Sequence, residues 1–270
     1  MSTFELSIFT VCSNNEDYLN LNKEISKIDV PYKWYVIQDN EVDRLTDTRL
    51  DAGFIHVPDG DGWTEIDGVA RNSVQHGDRL NRLFAWNKSR FALFLDPDFY
   101  IFYPVSKIIQ RMIENNLFFF GAPYHESTTH LLRDFPVAYC MFIDMGRMLR
   151  KEVNMLPGYG DIKSEYYPDV GYRIYSKYHK FKSCYQLALP SVPAGASFQH
   201  TTQSLKDFGI SYDNPKNEVG TKIDEFFLEN QLFGVHTRAK LNQKRNKNLK
   251  RIKHQLSVVR YINENYHSPH

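Results

Sequence analysis

Strand-like and helix-like segments alternate regularly in the first half of this chain, and that alternation constrains the fold most. Strand-like segments cover residues 4–12, 33–39, 53–57, 91–102 and 117–121, and helix-like segments cover residues 14–27, 69–88 and 105–113. Such alternation is typical of an α/β sheet in which crossover helices connect parallel strands. We therefore predict a mostly parallel sheet flanked by helices.

The second half continues the pattern less regularly. It offers strand-like segments at residues 137–144 and 183–189 and a helix-like segment at residues 169–178. A chain of 270 residues with 42% hydrophobic residues can build a large single core. Because no linker-like stretch divides it, we predict one domain over residues 1–236, followed by a basic helical C-terminal extension over residues 237–270 that packs on the same domain.

Charge and cysteine content narrow the class of protein. The formal net charge is +1, which argues against the whole surface acting as a polyanion binder. Cys12, Cys140 and Cys184 are far apart and lack zinc-site spacing, so a reducing compartment fits best. The first residues lack a basic stretch and carry Glu5 within the apolar run, and no segment is long enough to span a bilayer. We expect a cytoplasmic protein without stable membrane insertion.

The run FALFLDPDFYIF, residues 91–102, places two carboxylates, Asp96 and Asp98, inside an otherwise apolar segment. In an extended segment these alternate side chains point to the same side, where like charges repel each other. A divalent cation removes the conflict, and hard oxygen ligands favour Mn²⁺ or Mg²⁺. The alternative is an ordinary surface turn, for which Asp-Pro-Asp is also suitable. The apolar sequence on both sides favours the metal site.

The segment from Gly68 to Phe99 resembles nucleotide-sugar-dependent glycosyltransferases of the GT-A fold, in particular family-2-like members. The shared pattern is an Arg-Asn element opening a helix, followed by a hydrophobic strand that ends in a D-x-D motif, here Asp96-Pro97-Asp98. The resemblance implies a Rossmann-like GT-A sheet. It also implies a metal-dependent enzyme that moves a hexosyl or pentosyl group from a nucleoside diphosphate, with UDP the expected carrier, to a hydroxyl acceptor.

The resemblance also implies where the donor lies. Its binding residues would be Thr10, Val11, Asp39, Arg71, Arg79, Asp96 and Arg238. Thr10 and Val11 would line the nucleotide pocket, and Asp39 would face the base or ribose. Arg71 and Arg79 would approach the diphosphate, although a solvated helix face with local ion pairs is the alternative for both.

Metal and catalytic groups follow from the same resemblance. Asp98 and Asp96 would bind the metal, with a histidine completing the site; His236 is favoured over His200 because basic residues follow it directly. An inverting reaction requires a base for the acceptor hydroxyl, and Asp169 is the candidate, with Glu165 in reserve. Asp169 also stands where an N-cap of the following helix would be expected.

The segment from Arg238 to Arg260 is rich in Lys and Arg and contains no acidic residue. A solvated helix face is the ordinary explanation for such a run. The alternatives are contact with the donor diphosphate, with an anionic membrane carrying a lipid-linked glycan acceptor, or with a nucleic-acid backbone. In the last case the acceptor would be phage DNA containing hydroxymethylated cytosine; otherwise it would be a glycan or lipid-linked glycan.

Two other classes of protein remain open at this point. A nucleotidyltransferase also uses paired carboxylates and metals, but it would be expected to carry a glycine-rich loop with a lysine after the first strand, and TVCSNNEDY contains neither. A non-catalytic module that binds nucleic acid or a membrane surface through the basic segment would need no functional acidic pair.

Overall fold

The computed structural model describes residues 4–13, 15–38, 53–59, 71–124, 134–158, 169–190, 224–229 and 231–237, together with residues 253, 256, 257 and 260. For residues 71, 72 and 190 it describes the backbone alone. In chain order the strands are β1 (Leu6–Cys12), β2 (Tyr32–Gln38), β3 (Phe54–His56), β4 (Phe91–Leu95), β5 (Phe99–Ile101), β6 (Phe119–Gly121), β7 (Cys140–Asp144), β8 (Tyr185–Leu187), β9 (Leu189–Pro190), β10 (Asp224–Leu228) and β11 (Gln231–His236). The α-helices are α1 (Glu16–Ile25), α2 (Arg71–Phe84), α3 (Val105–Glu114) and α4 (Tyr172–Tyr178).

The central sheet has seven strands within the described part of the chain, in the order β3-β2-β1-β4-β7-β6-β8. Strands β1, β2, β3 and β4 pair in parallel, as do β6 and β8, whereas β7 runs antiparallel to both β4 and β6. The predicted α/β class, a mostly parallel sheet flanked by helices, is confirmed.

Helices cover both faces of this sheet because its central strands are apolar on both sides. In β1, Leu6 and Ile8 join the core that contains Leu19 of α1 and buried residues of α3, whereas Phe9 joins the core that contains Leu80 of α2. The same alternation continues in β4. The layers are therefore α1 and α3, the sheet, and α2 and α4.

The run from Phe91 to Phe102, predicted as a single strand, forms two strands that belong to different sheets. Strand β4 ends at Leu95 and β5 begins at Phe99, with the Asp-Pro-Asp segment between them. The backbone N–H of Phe99 donates to the carbonyl of Asp96 over 3.2 Å, which closes the turn. The prediction was wrong because proline fixes its own backbone angle and has no N–H to give to a strand ladder.

Among the described residues, a second sheet of four strands, in the order β5-β11-β10-β9, was not anticipated from the sequence. Strands β10 and β11 form an antiparallel hairpin, and β11 pairs with β5 so that His236 stands opposite Phe99. The second half deviates elsewhere too: residues 183–189, predicted as one strand, divide into a 3-10 helix (Lys182–Cys184), β8 and the start of β9.

The described residues of the C-terminal segment pack on α1. Leu256 is fully buried in a cluster with Tyr18, Leu21 and Ile25. The Lys253 ammonium lies 2.7 Å from a Glu24 carboxylate oxygen. Arg260 donates to the backbone carbonyl of Glu24 over 3.0 Å, near the end of α1 where exposed carbonyls favour a cation.

Two expectations from composition can be compared with the structure. All three cysteines are buried and free, so no disulfide forms between them. Within the described residues, no helix combines the length and the apolar character needed to cross a bilayer.

Candidate metal and donor site

A buried asparagine of α1 forms hydrogen bonds with the backbone of the Asp-Pro-Asp turn. The Asn22 side-chain amide donates to the backbone carbonyls of Asp96, Pro97 and Phe99 at 3.2, 3.2 and 2.7 Å. Its oxygen in turn accepts a hydrogen bond from the Ser26 hydroxyl over 2.6 Å. Asn22 is completely buried, so α1 fixes the backbone that carries the two carboxylates.

The end of β11 holds the turn from the other side. The backbone N–H of Thr237 donates to the Asp98 carbonyl over 3.0 Å, and its hydroxyl makes a longer contact with the same oxygen at 3.3 Å. This brings His236 Nε2 to 3.3 Å from Asp98 Oδ1. The His236 ring also stacks on Tyr139, with the ring centroids 4.6 Å apart.

Asp96, Asp98 and His236 therefore converge, each offering one ligand atom, with these atoms within 4.8 Å of one another. Two carboxylates and one imidazole are a donor set that suits Mn²⁺ and also accommodates Mg²⁺. His236 Nδ1 is buried without a hydrogen-bond partner in the described structure, so the ring is held by stacking and by Asp98. The residues present fit a divalent cation.

The charges in the cluster shift its proton affinities. Burial alone lowers the pKa of His236, but the carboxylates of Asp98, Asp96 and Asp224 together raise it above its usual value. Burial also raises the pKa of the Asp96 carboxyl; the nearby His76 opposes that shift, and the charges of Asp98 and Asp169 add to it. Negative charge is therefore concentrated in this cluster, and a bound cation would neutralise it.

The raised pKa of His236 predicts a pH dependence for metal binding. Below that pKa a proton occupies the imidazole and competes with the metal, so Mn²⁺ affinity should fall by up to about tenfold for each pH unit of acidification. Because the pKa is raised, the fall should begin above the usual histidine value of about 6.5. Titrating Mn²⁺ into the protein between about pH 6 and pH 8 measures this slope. His236→Gln should bind more weakly with a shallower slope, and an unchanged slope in that variant would contradict the assignment.

Asp169 lies at the entrance to α4 and is held by three donors. Its Oδ1 accepts hydrogen bonds from the Ser73 hydroxyl at 3.0 Å and from the Val170 N–H at 2.7 Å, and its Oδ2 accepts one from the Tyr124 hydroxyl at 2.5 Å. The expected N-cap role is wrong: the N-cap of α4 is Gly171, with a φ of 83° that disfavours other residues. The Asp169 side chain is thus turned toward α2 and Tyr124.

Thr10 and Val11 are placed within the core of the sheet. The Thr10 hydroxyl donates to the Leu95 carbonyl over 2.7 Å and accepts from the Trp34 indole over 2.9 Å, and the residue is completely buried. Val11 is 5% exposed. The structure gives Thr10 a structural role beneath the end of β4, and a contact of either residue with the donor stays a prediction.

Arg79 is buried and paired with Asp59. Its Nε and its terminal nitrogen lie 2.9 and 2.8 Å from the same Asp59 oxygen, and Arg82 approaches the other oxygen at 3.8 Å. This is the local ion pairing that the sequence offered as the alternative to diphosphate binding. Asp39, Glu165, His200 and Arg238 lie outside the described residues, as does the side chain of Arg71.

Sequence reasoning missed Asn22 and His76. Asn22 lies between Leu21 and Lys23 in the mixed segment EDYLNLNKEI of α1, where an asparagine is as typical of a solvated helix face as of a buried site. His76 lies three residues after Ser73, which places both on one face of α2. That spacing could have suggested His76 once Ser73 was known to face the site.

Comparisons with known proteins are distant. No protein-family model and no curated protein sequence matches the chain. Among solved structures, the galactosyltransferase LgtC in complex with donor and acceptor sugar analogues is 9% identical, with 93% of this chain and 96% of that chain covered and a TM-score of 0.44. Glucosyl-3-phosphoglycerate synthase from Mycobacterium tuberculosis is 12% identical, with 78% and 82% covered and a TM-score of 0.42.

Residues 1–349 of S. aureus TarS are 14% identical over 52% of this chain, with a TM-score of 0.36. This chain covers 47% of that one, about half of its length. Similarity at this level does not establish an activity, so the case for function rests on the residues of the site itself.

Proposed function

We propose that this protein is a metal-dependent glycosyltransferase of the GT-A type that moves a sugar from a UDP donor to a hydroxyl acceptor. The observation that supports it most is the convergence of Asp96, Asp98 and His236 at the carboxyl end of β4. Ligands of α/β sheets bind beyond the carboxyl ends of the strands, where this cluster lies.

Asp98 and His236, with Asp96, would hold the divalent cation. Bound there, a cation neutralises the charge that develops on a departing nucleoside diphosphate. The Asn22 side-chain amide and the Thr237 N–H both bind backbone carbonyls of the turn and fix it before any ligand arrives. The carboxylates therefore need little reorganisation.

Asp169 would act as the base for the acceptor. In the transfer, the acceptor oxygen bonds to the anomeric carbon, the bond from that carbon to the diphosphate oxygen breaks, and the hydroxyl proton passes to Asp169. Burial raises the pKa of Tyr124 well above its usual range, and the Asp169 charge adds to the shift, so Tyr124 stays protonated and orients the carboxylate as a donor. The Asp169 charge also affects the pKa of Asp96, which supports a shared site.

Four further assignments belong to the same proposal. Asp39 would bind the base or ribose, Arg71 and Arg238 the diphosphate, and Glu165 would be the reserve base. The acceptor would be a glycan or a lipid-linked glycan. Phage DNA as acceptor is suggested by the basic segment alone, and the two basic residues of that segment that the structure describes, Lys253 and Arg260, both contact Glu24.

Thermal unfolding with UDP tests the proposal. At about 100 times its dissociation constant, UDP should stabilise the protein by about 2.7 kcal/mol when Mn²⁺ is present, and far less when a chelator removes the metal. UMP, which lacks the second phosphate, is the matched control and should show little dependence on metal. ADP, GDP and CDP should be run in parallel to test the base. Absence of any metal-dependent shift with all four diphosphates would refute the proposed function.

A further inference from the structure

His76 lies beside the metal cluster without being part of it. Its Nε2 is 3.9 Å from Asp96 Oδ1, which is too long for a hydrogen bond. Both side chains are about one-third exposed, at 31% and 30%, so each has an open side. In the described structure His76 does not belong to the group of ligand atoms that lie within 4.8 Å of one another.

The position of His76 is fixed by the packing of α2. A Cβ atom at Gly77 would lie 2.6 Å from the Met155 carbonyl oxygen, so the helix is in close contact with that segment. Asn81, one turn further on, accepts a hydrogen bond from the Met155 N–H over 2.8 Å and donates to Asn154 over 3.2 Å. His76 is therefore presented to Asp96 by a helix that cannot easily shift.

The chemistry around His76 favours a neutral ligand. Asp96 and Asp98 offer ligand atoms that lie within 4.8 Å of one another, so two carboxylates occupy one small region. A phosphate oxygen placed directly against Asp96 would meet this charge. A hydroxyl group would not, because it can donate to the carboxylate and accept from an imidazole N–H. With hydrogen bonds of about 2.8 Å, one oxygen can reach both groups across the gap.

We propose that His76 and Asp96 together bind a hydroxyl group of the donor, belonging either to its ribose or to the sugar that is transferred. This inference rests on the proposed function and adds a specificity-determining residue to it. His76 would donate an N–H to the hydroxyl oxygen, and Asp96 would accept the hydroxyl proton in a hydrogen bond. A donor that lacks the hydroxyl would leave both groups without their shared ligand.

Binding measurements on His76→Phe and His76→Gln test the inference. Phenylalanine keeps the ring and removes hydrogen bonding, and glutamine retains a donor. Affinity for the hydroxyl-bearing ligand should fall about tenfold in His76→Phe and recover in part in His76→Gln, while Mn²⁺ affinity stays within about twofold. His179→Phe, at a histidine that follows α4 and bonds the Tyr175 carbonyl, is the matched control and should leave both affinities unchanged.

The choice of ligand identifies the hydroxyl. If His76→Phe binds UDP more weakly than the wild type does, but binds 2′-deoxy-UDP or 3′-deoxy-UDP equally well, the hydroxyl belongs to the ribose. If the affinity falls only for UDP-glucose or UDP-galactose, the hydroxyl belongs to the transferred sugar. Three results for His76→Phe would overturn the inference: an equal loss of affinity for every nucleotide ligand, a parallel loss of Mn²⁺ affinity, or unchanged affinity for all ligands. Wild-type protein without Mn²⁺-dependent nucleotide binding would instead refute the proposed function itself.

Discussion

Asp98→Asn is expected to lower the rate of UDP release from a UDP-sugar by about a thousandfold or more, because it removes the negative charge at the centre of the metal cluster. Losing about 4 kcal/mol of stabilisation of the departing diphosphate corresponds to that factor. Asparagine has nearly the same shape, and Thr237 holds the backbone of residue 98, so the fold should be kept. The measurement is turnover with Mn²⁺, with circular dichroism to verify folding.

Asp134→Asn is the matched control for this change. Asp134 forms an ion pair with Lys182 in which both side chains are more than half exposed, and such pairs contribute little to stability. Its turnover should equal that of the wild type. Turnover of Asp98→Asn within tenfold of the wild type would show that the carboxylate does not hold a catalytic metal.

The second large effect is expected from Asp169→Asn, which should reduce sugar transfer to the acceptor by about 10² to 10⁴. The amide cannot accept the proton of the acceptor hydroxyl. Mn²⁺-dependent UDP binding should be unchanged, because Asp169 is outside the metal cluster. Steady-state transfer and UDP binding, measured on the same preparations, separate the two effects.

Tyr124→Phe is the variant to compare with Asp169→Asn. It removes the hydrogen bond to Asp169 Oδ2 and leaves the carboxylate in place, held by Ser73 and Val170. We expect a loss of only about tenfold, as for one hydrogen bond. If Asp169→Asn lowered transfer no more than Tyr124→Phe, Asp169 would orient its neighbours and another group, such as Glu165, would be the base.

The fold class could be predicted from the sequence because its indicators are local. The apolar run of β1, the pattern of Val105, Ile108, Ile109 and Met112 in α3, and the order of strands and helices were all readable within short windows. The second sheet was not predictable in this way. Its partners, β5 and β11, are more than 100 residues apart, and the three residues of β5 were included in the single strand predicted for residues 91–102.

The candidate site, like the fold, could be predicted from the sequence only in part. The sequence indicated that Asp96 and Asp98 needed a cation and ranked His236 above His200. It could not show that β11 lies beside β5, which is what brings His236 to Asp98. It also misjudged Asp169 as an N-cap, because the left-handed conformation of Gly171 starts α4 two residues later.

By itself, then, the amino-acid sequence determined the order and type of most secondary-structure elements and the presence of an acidic pair at the end of a buried strand. Periodicity and side-chain charge act over a few residues, so they can be read without a structure. The tertiary structure alone decided which distant groups meet that pair: Asn22 beneath the turn, His236 from the second sheet and His76 from α2. Those encounters depend on the packing of whole layers, which no local pattern specifies.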